Sequence, residues 1–415
     1  MRQHRYTSAR RARPDDLVGL DPACPPDGPW RPLDRRGRPL PVLLLLLLAA
    51  AAALVSCAIG GAGDGALDEV DDTRPDAWTV GVAEHIALWY HGLAYLEAPG
   101  RTADDAGLPP RFRADYVDSI GAVKRRRGAY PTPLDERAAE FRDVIAGDDA
   151  YDPLQFLPLY FRDAEALFSS VELWVEAGGD PRRAGSRPAA EVITFLSRLF
   201  PGRDERRVVG EWTEVVRAER EAFYGTYWSE RGPALAPTVS AVQRGWDGLA
   251  PVLRDFLDYM RLEGGDLLLV PAIGPEGRII TAGPTPPRAA VLVPPARRPG
   301  DALWSFVHEL MYPLVDDVIR DYVAPVRIRE LGLDVLGTRA AVRGGAMVLE
   351  RVGPERVEAY RRFFLRSIDE RAAAVDDAEA DVVVGDEASF ERAFPLPPEL
   401  ERGLRETIEQ ALAGI

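Results

Sequence analysis

The decapeptide Trp304-Ser305-Phe306-Val307-His308-Glu309-Leu310-Met311-Tyr312-Pro313 sets a histidine and a glutamate side by side and places a tyrosine one helical turn beyond the histidine. Its apolar residues recur at helical spacing, so residues 302–322 are expected to be helix, kinked where Pro313 withholds a backbone donor from the carbonyl of Glu309. Upstream, the period changes. The apolar run 267–273, the turn Gly274-Pro275-Glu276-Gly277 and the run 278–281 read as a hairpin, and 289–293 reads as a third strand stopped by Pro294-Pro295. Further upstream the pattern is helical at 82–97, 134–145, 164–176, 189–200, 204–228 and 237–262, broken by Pro99-Gly100, Gly178-Gly179 and Pro201-Gly202. In the last of these, Val242, Trp246, Leu249, Val252, Leu253, Phe256 and Met260 form one apolar stripe. Downstream, helices are expected at 334–352, 355–373 and 398–412. The fold class that follows is α+β and predominantly α-helical: a helical region over 77–263, then a region over 264–415 with three short strands and helices.

The chain has 415 residues, 46% hydrophobic and 28% charged, which excludes disorder throughout. Its formal net charge of −15 argues against nucleic acid as a partner, because phosphate binding needs a positive field. The basic residues are arginines except for Lys124. Two cysteines, Cys24 and Cys57, are too few for a disulfide framework or a cysteine-rich zinc site. Arg35, Arg36 and Arg38 precede an apolar run over 42–55, which is shorter than the ~20 residues that span a bilayer. The tetrapeptide Leu54-Val55-Ser56-Cys57 that closes the run resembles a bacterial lipobox. That resemblance implies a signal peptide over 1–56, a lipid anchor on Cys57 and an extracytoplasmic protein held at the cell envelope. The Gly-, Ala- and Asp-rich stretch 57–76 reads as a flexible tether, and loss of 1–56 removes nine arginines and five acids, leaving a more acidic body.

The order of short strand, Pro/Gly turn and apolar helix bearing His308-Glu309, with Tyr312 where a second histidine would stand, resembles the bacterial gluzincin-like HExxH zinc metallopeptidases over roughly 267–360. In such enzymes two imidazoles one turn apart face one zinc ion, and the glutamate polarises the metal-bound water. The resemblance implies His308 as a metal ligand, Glu309 as general base, Tyr312 at the second ligand position and a third ligand on the helix 334–352. That third position falls at or near Arg339, with Arg343 as the supporting arginine; Glu330 and Glu350 flank it. A phenol with an ordinary pKa near 10 is a poor substitute for imidazole, and an arginine repels a cation. The expectation is a peptidase scaffold that has lost its zinc site, needs no cofactor and binds a peptide or envelope partner. Two alternatives remain: an active zinc peptidase using His308 and Glu309, and a purely structural helical lipoprotein.

Other features read as structural. His85 and His91 stand about 240° apart on a helix and cannot share a metal. The run Lys124-Arg125-Arg126-Arg127 reads either as a solvated helix end or as a contact for anionic headgroups near the anchor. Phe223, Tyr224, Tyr227 and Trp228 are expected to pack against a neighbouring helix or to line a cleft.

Overall fold

The computed structural model describes residues 77–97, 107–282, 286–368 and 386–413, all within one compact unit, Leu44–Ile415. The expected leader, the tether and Cys57 lie outside the described residues. None of the described helices is long and apolar enough to cross a membrane. The protein is mostly helical with one small mixed sheet.

The described residues open with strand β1 (Trp78–Gly81) and helix α1 (Glu84–Ala94), followed by α2 (Tyr116–Arg127), α3 (Pro133–Ile145) and two short 3₁₀ turns, Asp149–Gln155 and Leu157–Tyr160. Next come α4 (Ala164–Glu176), α5 (Arg187–Leu199) and α6 (Arg203–Glu219). A π-helical turn, Arg220–Tyr224, joins α6 to α7 (Gly225–Ala234), and α8 (Ala236–Met260) leads into the remaining strands. These starts have local causes. The Thr132 and Asp135 side chains form a capping box before Pro133, Asp163 accepts from the Ala166 amide, and Ser186 accepts from the Ala189 amide.

Strands β2 (Gly265–Val270), β3 (Arg278–Ile280) and β4 (Arg288–Leu292) complete a sheet of order β1-β2-β4-β3. The first three in that order are parallel, and β3 runs antiparallel to β4 at the edge. The expected hairpin is therefore corrected: β3 pairs with the strand that follows it, and β4 lies between β2 and β3. Leucines point to both faces of β2, so it needs a neighbour on each side and a cover above and below. Leu268, Val270, Ala290 and Ile280 join the core formed with α1–α6, while Leu267, Leu269, Ala289, Val291 and Ile279 join the core formed with α8 and the C-terminal helices. The sheet is thus a shared wall between two helical layers. Strand β1 comes from the first of the two regions read in the sequence and β2 from the second, and they lie side by side.

Of the stripe on α8, Val242, Trp246, Leu249, Leu253 and Phe256 are buried while Val252 and Met260 are half-buried, and Trp246 stands edge-on to Phe306 and Phe306 edge-on to Trp78. After β4 the chain forms α9 (Gly300–Glu309), α10 (Tyr312–Tyr322), α11 (Pro325–Leu331), α12 (Leu333–Val352), α13 (Pro354–Ile368), α14 (Glu387–Ala393) and α15 (Pro398–Ala413). The single helix expected at 302–322 is two. The Leu310 amide still reaches the Phe306 carbonyl at 3.0 Å, the Met311 amide tightens onto the His308 carbonyl at 3.0 Å, and Pro313 leaves Glu309 without its helical donor.

Candidate functional site

Helix α9 lies against β4, so its last turn comes under the edge strand β3. Gly277 makes the approach possible: a Cβ there would stand 2.8 Å from the Ala290 carbonyl oxygen and 2.9 Å from Cγ of Glu309. His308 and Glu309 are consequently buried, at 0% and 1% exposure. The Nδ1–H of His308 donates to Oε1 of Glu309 at 2.9 Å, and its buried Nε2 has no hydrogen-bond partner. The imidazole sits between Tyr312, with ring centroids 5.1 Å apart and edge-on, and Phe364 at 5.4 Å. His308 and Tyr312 are neighbours despite the break between their helices.

The Tyr312 hydroxyl meets Oγ1 of Thr338 at 3.2 Å. Burial, reinforced by the charges of Glu276 and Glu309, pushes the Tyr312 phenol well above its ordinary range, although Arg278 pulls the other way. The phenol therefore stays protonated, whereas metal ligation calls for phenolate.

Arg278, only 7% exposed, is the residue here that sequence reading missed. Its Nε and Nη2 donate to Oε1 of Gln155, its Nη1 donates to Oε1 of Glu276 at 3.0 Å, and Nη1 also donates to the Gly277 carbonyl. Burial works against its charge, but the fields of Glu276 and Glu309 outweigh it and hold the guanidinium more firmly protonated. A buried charge inside a run otherwise read as strand was the available signal. The Tyr90 hydroxyl donates to the Gln155 carbonyl, so the 3₁₀ turn that carries Gln155 is tied to α1 and laid over β3. Residues 111–113 close the same side through an antiparallel bridge between Phe112 and Ile273 and amide bonds to Ala272 and from Gly274.

The expected third-ligand and supporting positions fall elsewhere. Thr338, one residue before Arg339, is the position on α12 that meets Tyr312, and Arg339 lies about 100° further round that helix. Arg343 serves a different purpose: its guanidinium binds Glu391 at 2.8 Å and Glu401 at 2.9 Å, clamping α12 to α14 and α15. Glu330 pairs with Arg327, and Glu350 with Arg361. Among the described residues no group of three His, Cys, Asp or Glu side chains is placed to hold a metal ion. A lone imidazole nitrogen, a protonated phenol, a threonine and a guanidinium do not make a donor set that fits zinc.

Away from this centre, an open, largely apolar groove of about 510 Å³ runs between the end of β1 and helices α7 and α8, lined by Val82, Trp228, Gly232, Pro233 and Val239. Of the aromatic series, Phe223 and Tyr224 are core residues, while Trp228 serves both expectations: it stacks on Tyr224 and lines the groove. Lys124 is wholly buried, so only Arg125, Arg126 and Arg127 of the run 124–127 are exposed. His85 and His91 are both buried and hydrogen-bonded, His85 to the Phe161 carbonyl and His91 to Tyr116 and Glu219. No protein-family model matches the chain, nor does any curated protein or solved structure.

Proposed function

We propose that this chain is an exported, lipid-anchored protein of the bacterial cell envelope, built on a gluzincin-like scaffold whose zinc site has been replaced by an internal cation, and that it serves as a binding protein for a peptide or another envelope component. The reading rests on His308 and Glu309 ending a helix beneath an antiparallel edge strand, the placement the family resemblance implies. The observation that carries the loss of zinc is Arg278. Its guanidinium lies buried beside Glu276 and in the field of Glu309, so the positive charge that a metal would bring is supplied by the chain. Because residues 111–113 and 155–160 cover this centre, engagement of a partner belongs to the outer surface, where the groove lined by Trp228 is open.

Three experiments test the proposal. The purified body, dialysed and analysed for metals, is expected to retain no stoichiometric zinc and to cleave no peptide library. Tyr312→His combined with Thr338→Glu is expected to confer zinc affinity, since Tyr312 packs against the His308 ring and its hydroxyl meets Thr338. Stoichiometric zinc in the wild type, or hydrolysis abolished by Glu309→Gln, overturns the inactive reading. Palmitate labelling in the native host is expected for the wild type and not for Cys57→Ala; equal labelling of the two removes the anchor.

A further inference from the structure

The first helical layer holds a second buried polar cluster, remote in chemistry from His308. Lys124 on α2, Glu219 at the end of α6 and His91 on α1 are each 0% exposed. Lys124 Nζ lies 2.8 Å from Oε1 of Glu219, and the Nε2–H of His91 donates to that same oxygen at 3.0 Å. The other carboxylate oxygen, Oε2, is buried without a hydrogen-bond partner. The ammonium is completed by Oγ1 of Thr132 at 3.0 Å and Oδ2 of Asp135 at 2.9 Å, and it stands over the Tyr95 ring. Nδ1 of His91 accepts from the Tyr116 hydroxyl at 3.1 Å. The charged and titratable groups facing His91 are therefore Glu219 from α6, Lys124 and Tyr116 from α2, Asp135 from α3, Tyr95 beyond the end of its own helix and Tyr224 from the π turn.

We propose that Glu219, shared between His91 and Lys124, is a proton-operated latch that sets the conformation of the π turn and of the Trp228 groove next to it. As drawn, one oxygen serves one cation and one neutral imidazole. A proton can add only at Nδ1, and it makes two demands at once. Tyr116 must turn its hydroxyl proton away, and the carboxylate must serve two cations, which Oε2 is free to do once the side chain rotates. The backbone is built to permit this, because the π turn begins at Arg220, directly after Glu219, where the helical ladder has already slipped by one residue. Tyr224 in that turn lies 4.7 Å from the His91 ring and stacks on Trp228 at 6.0 Å, so the rearrangement reaches the groove through two ring contacts. Burial, which outweighs the opposing pull of Glu219, lowers the His91 pKa from its ordinary value, so the latch is set at neutral pH and released on acidification. The latch stands whether or not the His308 centre is peptidase-like.

The chain has four histidines, so the imidazole Cε1–H signals of His91 can be followed individually by NMR while amide hydrogen exchange is recorded over residues 219–234, corrected for the intrinsic pH dependence of exchange. Exchange in that segment is expected to rise about tenfold per pH unit as His91 takes its proton. In His91→Gln, whose amide still donates to Glu219 but cannot titrate, it is expected to stay flat. An equal rise in His91→Gln, no rise in the wild type after His91 has titrated, or a His91 that stays neutral until the whole protein unfolds each overturns the latch. Should His91→Gln not fold, the wild type decides alone: midpoints for His91 protonation and segment exchange that do not coincide overturn it.

Discussion

Lys124 shows how much one residue can say and still be misread. It is the only lysine in a chain with 51 basic residues, and its compact ammonium points three donors in three directions, at Thr132, Asp135 and Glu219. A planar guanidinium is bulkier and spreads its donors in one plane, so it cannot reproduce that contact set. Lys124→Arg is therefore expected to lower stability by about 1–3 kcal/mol through overpacking. Lys124→Met, which strands the buried Glu219 carboxylate, should cost about 3–5 kcal/mol. Urea denaturation of both variants checks the order, and an arginine variant as stable as the wild type would show that the box is not shaped for an ammonium. The lone lysine was visible in the sequence, but its burial was hidden by three adjacent arginines that made the run look like one surface. Each step along a helix turns 100°, so Lys124 faces the core while Arg125 to Arg127 do not. The same step separates Thr338 from Arg339, and naming the wrong neighbour there moved the expected site by a quarter of a turn.

At the level of elements, legibility followed punctuation. Helices bounded by strong caps or prolines, such as α3 behind Thr132-Pro133 and α15 behind Pro397-Pro398, stand within a residue or two of where the sequence puts them. The pairing of strands was not legible from adjacency, because Gly274-Pro275-Glu276-Gly277 has the composition of a hairpin turn and yet leads to a strand on the far side of β4. A physical signal against the hairpin was present. An uninterrupted leucine run fits a strand covered on both faces better than one at an edge. Strand β1, four residues long, carries too little pattern to be read alone; it exists because β2 offers it a partner and because Gln243 on α8 accepts from the Val80 amide at 2.7 Å along its outer edge. The helix α2 escaped notice because its polar face dominates its composition, and the π turn because a one-residue slip in the hydrogen-bond ladder leaves no mark on apolar spacing. The kink at Pro313 was legible, since a missing donor is a property of the residue itself.

For the molecule as a whole, the joint between the helical layer and the sheet is the place where acid should act most measurably. The Nε2–H of His85 donates to the Phe161 carbonyl at 2.8 Å, and Arg288 from β4 donates to the same oxygen at 2.7 Å while also holding Asp266 of β2. Burial first, and then the charge of Arg288, push the His85 pKa down to about 4, against the hydrogen bond to Phe161 and the fields of Asp163 and Glu84. A histidine whose folded value lies below its unfolded value takes up protons more readily when the chain is unfolded. Its contribution is whole above about pH 6.5 and is lost as the pH falls toward 4, a change of about 3 kcal/mol. One aspartate opposes it. Asp316, raised to about 6 by burial, is protonated more easily in the folded state and so favours folding as the pH drops below 6. The net stability curve is therefore shallower than either group alone would make it, and a single wild-type profile would not isolate His85. The difference between wild type and His85→Gln does: in denaturant titrations at pH 7 and pH 4, the wild type is expected to lose about 3 kcal/mol relative to the variant. A difference that stays constant between those two values would mean that the seam around Phe161 admits water in the folded protein, and that the two helical layers are less tightly joined through the sheet than these contacts require.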